Sequence, residues 1–147
     1  MSLPDLDPST GNLPPGVHHA TWHELRAAFG STPHRARLLD GLQRALEALR
    51  AAGCQRAYID GSFVTAKDVP GDFDACWEAQ GVDAGRLDPV LLDFSNKRAG
   101  QKAKYGGEFF PATAPAGPGA RFLDFFQRDK ATGEPKGIVA IDLGGLP

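Results

Sequence analysis

Leu38, Leu39, Leu42, Leu46 and Leu49 recur at three- and four-residue intervals with polar and charged residues between them. That spacing puts one apolar stripe along an α-helix. Thr32 stands ahead of the stripe as an N-cap, and Pro33 takes the first helical position, where its missing N–H does no harm. Gly53 suits the reversed backbone just past the helix end. A shorter helix is predicted before it: Thr21 and Glu24 form a capping box, each side chain satisfying an orphan backbone N–H of the first turn. Gly30 ends that helix. Residues 56–59 and 73–77 then read as short strands, and residues 137–141 make the clearest apolar β-run. Residues 87–104 read as partly helical around Leu91 and Leu92, and residues 108–110 as a short strand. Residues 111–119 read as a Pro/Gly loop, and Phe122, Leu123, Phe125 and Phe126 as a helix packed by aromatics. Gly133 marks a turn. Strands and helices mixed in this way predict a small α/β (α+β) domain, a mixed sheet flanked by helices.

Residues 1–17 carry Pro4, Pro8, Pro14, Pro15, Gly11 and Gly16. That density denies regular structure, so an extended arm is expected, dispensable for folding, with a single domain over residues 18–147. The chain has 147 residues, enough for one domain with its own core. Its 16 basic and 18 acidic residues leave a net charge of −2. A balance so close to neutral excludes a broad footprint for duplex DNA or an anionic membrane, but leaves a local phosphate site open. No apolar run reaches the roughly 20 residues of a membrane span. The first residues lack the basic start and apolar stretch of a signal peptide, so the expected compartment is the cytoplasm. Cys54 and Cys76 stand alone, without a C-x-x-C or Cys/His cluster, and read as reduced, buried thiols.

The chemistry concentrates in residues 57–77, AYIDGSFVTAKDVPGDFDACW. One strand runs out at Gly61-Ser62, and Asp72-Phe73-Asp74 opens the next. Residues two apart on a strand share a face, so Asp72 and Asp74 place two carboxylates side by side. Such like charges call for compensation. Mg²⁺ supplies it, since that ion binds through one or two carboxylates plus substrate phosphates. Gly61 lets the backbone approach a phosphate, and Ser62 adds a hydroxyl and an N–H. Thr65 and Lys67 are candidate phosphate contacts, lysine acting as a point charge.

Gly61-Ser62, the ten-residue interval and Asp72-x-Asp74 resemble the signature of the DNA polymerase β-type nucleotidyltransferase superfamily. The longer string GSFVTAKDVPGDFD resembles a subgroup of small bacterial proteins similar to minimal nucleotidyltransferases. Lys136-Gly137-Ile138 and the block around Glu108-Phe109-Phe110 extend the likeness over residues 21–142. The resemblance implies a nucleotidyltransferase-like fold and an Mg²⁺-dependent enzyme with two ions. Such an enzyme moves a nucleotidyl group from a nucleoside triphosphate to a hydroxyl. It implies Gly61 and Ser62 as nucleotide-binding residues, with Thr65 and Lys67 as the candidate contacts beside them, and Asp72 and Asp74 as metal ligands. It also implies a third acid on a later strand, for which Glu108 is the first choice and Asp93 and Asp142 the rivals. Small members of the superfamily often act in toxin–antitoxin pairs, which makes a partner toxin protein or an RNA end the implied acceptor. The alternative is a non-catalytic module that keeps the fold to hold a nucleotide or a partner.

Other residues read blandly. Asp60 reads as a turn cap. His18, His19, His23 and His34 show no ligand spacing and read as surface or capping residues. Trp77 and the aromatics at 122–126 read as core. Lys97, Arg98, Lys102 and Lys104 read as the solvated face of a helix.

Overall fold

A computed structural model describes residues 3–147. In chain order the elements are β1 (Gly16–Ala20), α1 (Trp22–Phe29), α2 (Pro33–Ala51), β2 (Arg56–Asp60), β3 (Phe73–Trp77), α3 (Ser95–Tyr105), β4 (Gly107–Pro111), β5 (Pro115–Gly117), β6 (Ala120–Arg121), α4 (Phe122–Phe125) and β7 (Gly137–Asp142). The main sheet has the order β1-β7-β2-β3-β4. Its two outer pairs, β1/β7 and β3/β4, are parallel, and β7/β2 and β2/β3 are antiparallel. This is the mixed α/β sheet flanked by helices that the patterning predicts, with β2 and β3 direct neighbours.

The local signals act where the sequence places them. Thr21 Oγ1 accepts from the Glu24 N–H at 3.1 Å, and Glu24 Oε1 accepts from the Thr21 N–H at 3.0 Å. At the far end of α2 the Gly53 N–H donates to Arg50 O and the Cys54 N–H to Leu49 O, both at 2.9 Å. That paired closure is a Schellman motif, and Gly53 adopts the positive φ of 101° it requires.

Alternation along the strands divides the core in two. Ala57, Ile59, Phe73, Ala75, Phe109, Val139 and Ile141 face α1 and α2 and join the leucine stripe in the larger cluster. Tyr58, Cys76, Phe110, Ile138 and Ala140 face the other way, against Phe122, Leu123 and Phe126. Phe110 and Phe122 stack at 4.0 Å between centroids with a 10° interplanar angle. Trp77 and Phe126 are core residues, as expected, and both cysteines are free and buried.

Three features differ from the sequence reading. Residues 16–20 form an edge strand, so regular structure begins inside the stretch read as an arm. Residues 1 and 2 of that stretch lie outside the described residues, and its described part is docked at Leu13, which is 2% exposed within the larger cluster and whose carbonyl accepts from the Gly137 N–H at 3.0 Å. Burial of one leucine and pairing with β7 outweigh the poor propensity of the prolines around them. The helix at 122–126 is a single short turn, and part of the loop before it pairs as the two-stranded sheet β5/β6. Among the described residues no helix is long and apolar enough to cross a membrane.

Candidate functional site

Strand register gathers the carboxylates. Asp60 lies opposite Asp74 on β2/β3, and Asp74 lies opposite Glu108 on β3/β4. Directly opposed residues share a face. Three acids from three adjacent strands therefore stand in a row, and Asp72, two residues before Asp74, adds a fourth. The row continues the face of Tyr58, Cys76 and Phe110, beyond the reach of the aromatic cover.

Crowding perturbs these groups. Burial pushes the Asp74 carboxyl up to about 7, reinforced by the charges of Asp72, Glu108 and Asp60, and it hydrogen-bonds Glu108. Burial raises Asp72 as well, followed by the charge of Glu108, while Lys102, Lys130 and Lys67 oppose the rise. Asp60, 4% exposed, is raised by burial against the pull of Lys136, whose Nζ lies 2.8 Å from Oδ1. Glu108 goes the other way. Burial works to raise it, but hydrogen bonds from Arg98, Lys102 and Asp74 together hold it below the usual range. Arg98 reaches Glu108 Oε1 at 2.9 Å and Lys102 reaches it at 3.2 Å.

Asp60, Asp72 and Asp74 line one side of a cleft of about 750 Å³. Gly61, Ser62, Thr65 and Lys67 line its rim, and Phe125, Arg128, Asp129, Lys130 and Lys136 come from the segment leading into β7. Three acids and four cations thus share one cavity, with Lys136 paired to Asp60 and Glu108 outside the lining. Magnesium suits the donor set, which offers carboxylate oxygens with no imidazole or thiolate among them. Mutual repulsion of the acids would be relieved by a divalent ion there. As the side chains stand, no three His, Cys, Asp or Glu residues among those described are gathered closely enough to ligate one ion.

The loop between β2 and β3 has little regular structure, and α2 holds it in place. The buried Arg35 guanidinium donates to the carbonyls of Phe29, Phe63, Thr65 and Lys67 at 2.5–3.2 Å and sits over the rings of Phe29 and Phe63. His34 Nε2 lies 2.5 Å from the Pro70 carbonyl. Thr65 Oγ1 donates to Ser62 O at 2.6 Å and accepts from the Lys67 N–H at 3.2 Å, so this hydroxyl shapes the loop. Gly61 has φ 87°, and a Cβ there would lie 3.0 Å from Asp74 N and 3.2 Å from Asp74 Oδ2. Close packing against β3 therefore demands glycine independently of any phosphate. The arm ties this loop to the opposite wall: Gly11 O accepts from the Ala66 N–H at 2.9 Å, and Asn12 Nδ2 donates to Asp129 Oδ2 at 3.0 Å.

Residues 4–142 match the model of DUF6932, a family of unknown function. The chain belongs to the DUF6932 family. No curated protein and no solved structure matches it.

The span shared with DUF6932 takes in the docked arm as well as every cleft residue named above. Of the three candidates for a third acid in this DUF6932 chain, Glu108 is the one in register with Asp74. Asp93 is exposed and accepts from Ser95 Oγ at 2.6 Å and from the Ser95 N–H at 3.0 Å. Asp142 pairs with Arg56 at 2.8 Å, at the other end of β2 from Asp60. Asp60 itself is a buried strand residue in the acid row and not a turn cap. The basic run is more than a solvated face: Arg98 and Lys102 neutralise Glu108, and Lys104 pairs with Asp88 at 2.6 Å. Residues 96–98 adopt left-handed φ values of 50°, 54° and 61°, a strained opening to α3 that places Arg98 at the site. Sequence reasoning missed Arg35, Lys136, Arg128 and Lys130. Lys136 alone had a signal, since it opens the Lys136-Gly137-Ile138 stretch immediately ahead of a clear strand.

Proposed function

We propose that this protein is an Mg²⁺-dependent nucleotidyltransferase that moves a nucleotidyl group from a nucleoside triphosphate to a hydroxyl of a protein or an RNA end. The observation that carries the reading is the row Asp60, Asp74 and Glu108 on three adjacent strands, of which Asp60 and Asp74, with Asp72, share one cleft with Lys67, Arg128, Lys130 and Lys136. The cations offset the triphosphate charge. Gly61 and Ser62 bring the rim of the loop to it, and Arg35 keeps that rim in place. Asp72, Asp74 and Glu108 would hold magnesium, which when bound would polarise the acceptor hydroxyl and neutralise the leaving pyrophosphate. In the transfer the acceptor hydroxyl passes its proton to solvent water and its oxygen bonds to the α-phosphorus. The bond from that phosphorus to the bridging oxygen breaks, and the electron pair leaves on pyrophosphate. A small chain has little room for an acceptor domain, so a partner such as a toxin protein fits the acceptor role. Two free, buried cysteines suit the cytoplasm.

A second reading is favoured by one observation: Arg98 and Lys102 already satisfy the Glu108 carboxylate. On that reading the protein is a non-catalytic nucleotide- or partner-binding module. Incubation with labelled nucleoside triphosphates, Mg²⁺ and cell lysate separates the two. Transfer of label supports the enzyme, and tight binding without transfer supports the module. The double variant Asp72→Asn/Asp74→Asn should abolish Mg²⁺-dependent nucleotide binding while the fold persists. Glu108→Gln should leave binding in place and stop transfer.

A further inference from the structure

A second pocket, of about 380 Å³, adjoins the cleft. Gly119, Ala120 and Asp124 line it but not the cleft, while Phe125, Arg128, Asp129 and Lys130 line both. We infer that this slot receives the nucleobase of the nucleotide whose triphosphate lies in the cleft, with the Phe125 ring as its stacking surface. The inference rests on the proposed nucleotide-binding function and adds a residue and a place for the base.

Phe125 is unlike its neighbours. Phe126 is 4% exposed and Phe122 stacks on Phe110, whereas Phe125 is 38% exposed. Its aromatic contacts are edgewise to Phe122 (81°) and tilted to Phe126 (52°), so among the described residues no ring is stacked on it. A phenyl group more than a third exposed at the mouth of a charged cleft, with a lysine ammonium over its ring and no stacked aromatic partner, is a surface for a planar, apolar-faced ligand. The opposite side is kept open by small residues: nothing lies within 4 Å of where a Cβ of Gly119 would stand, and Ala120 follows it. Lys130 bridges the two cavities, with Nζ 5.9 Å from the Phe125 ring centroid. A nucleotide spans this junction naturally, with phosphates toward the cations and the base on the ring. Stacking on a phenyl ring tolerates any base, so purine and pyrimidine nucleotides should depend on Phe125 alike.

The test is calorimetric titration of the full chain, in Mg²⁺, with tripolyphosphate, ATP and UTP. For the wild type, both nucleotides should bind more tightly than tripolyphosphate. Phe125→Ala and Phe125→Leu should weaken both nucleotides by about tenfold or more and leave tripolyphosphate unchanged. Phe125→Tyr should restore nucleotide affinity. Circular dichroism checks that each variant is folded, which the exposure of Phe125 favours. The inference is overturned alone if the variants bind nucleotides like wild type, if they weaken tripolyphosphate equally, or if wild type binds tripolyphosphate as tightly as ATP. Variants that bind ATP normally but lose transfer would assign the slot to the acceptor and also overturn it. If wild type binds none of the three ligands, the proposed function fails and takes the slot with it.

Discussion

Ile59 and Asp60 are neighbours in the chain and both are buried, yet they serve opposite ends. Ile59 points into the cluster shared with the α2 leucines, while Asp60 points into a row of carboxylates. The same split runs through Phe73 and Asp74 on β3 and through Glu108 and Phe109 on β4. One face of the sheet is apolar and closely packed, so it stores stability. The other is apolar only near its middle and ends in like charges that oppose folding. A fold under selection for stability alone would not crowd four acids at one sheet end, so the second face reads as a site.

The sharpest way to break this contrast is to damage the apolar face. Phe109 is fully buried and meets Phe73 and Tyr105 edge-on at 5.4 and 5.8 Å. Phe109→Ala should cost about 3–5 kcal/mol in urea denaturation, and a loss under about 1 kcal/mol would mean that this face is not the main store. Leu13→Ala should cost about 2–4 kcal/mol. An unchanged melting temperature would return the N-terminal stretch to the status of a dispensable arm.

Changes on the acidic face should have smaller effects of the opposite sign. Asp74 is held up at about 7 in the folded protein, by burial first and then by its acidic neighbours. A carboxyl raised on folding binds its proton more tightly in the native state. Its favourable contribution is complete below the unfolded value near 4 and is lost as pH rises through about 7. In EDTA, wild type should therefore lose stability from pH 5 to pH 8, with this group contributing on the order of 1–3 kcal/mol to the loss. Asp74→Asn should flatten that profile and be no less stable than wild type at pH 8. A steeper profile for the variant would remove Asp74 as its source. The smallest effect, of the ordinary sign, belongs to Asp142→Asn, off the acidic face at the other end of β2. Its pair with Arg56 is largely solvent-exposed, so the change should cost less than about 1 kcal/mol. It should leave Mg²⁺-dependent nucleotide binding intact, and a loss of binding would reopen the choice of third acid.

Much of this was legible one element at a time. The capping box at Thr21, the leucine stripe of α2, the Gly53 closure and the shared face of Asp72 and Asp74 depend on residues within one or two turns of each other. Backbone geometry sets those relations wherever the chain goes, so periodicity and spacing reveal them. Strand β1 escaped because its residues are poor strand formers taken alone. They pair because β7 offers an open edge and Leu13 is buried beside it.

The sequence by itself determined α1 and α2, their caps, the strands that border the Asp72-x-Asp74 stretch, and a pair of carboxylates needing compensation. Tertiary structure alone decided which groups meet that pair. Asp60 joined the acids through register on β2, and Glu108 was separated from Asp93 and Asp142 through register on β4. Lys136 came from the residue just ahead of β7, 76 positions beyond Asp60, and Arg35 from a helix that closes on the loop carbonyls. The physical reason is that a strand has two faces and no preferred partner. Which side chains stand opposite one another is set by long-range pairing, and a shift of one residue would send every acid to the core side.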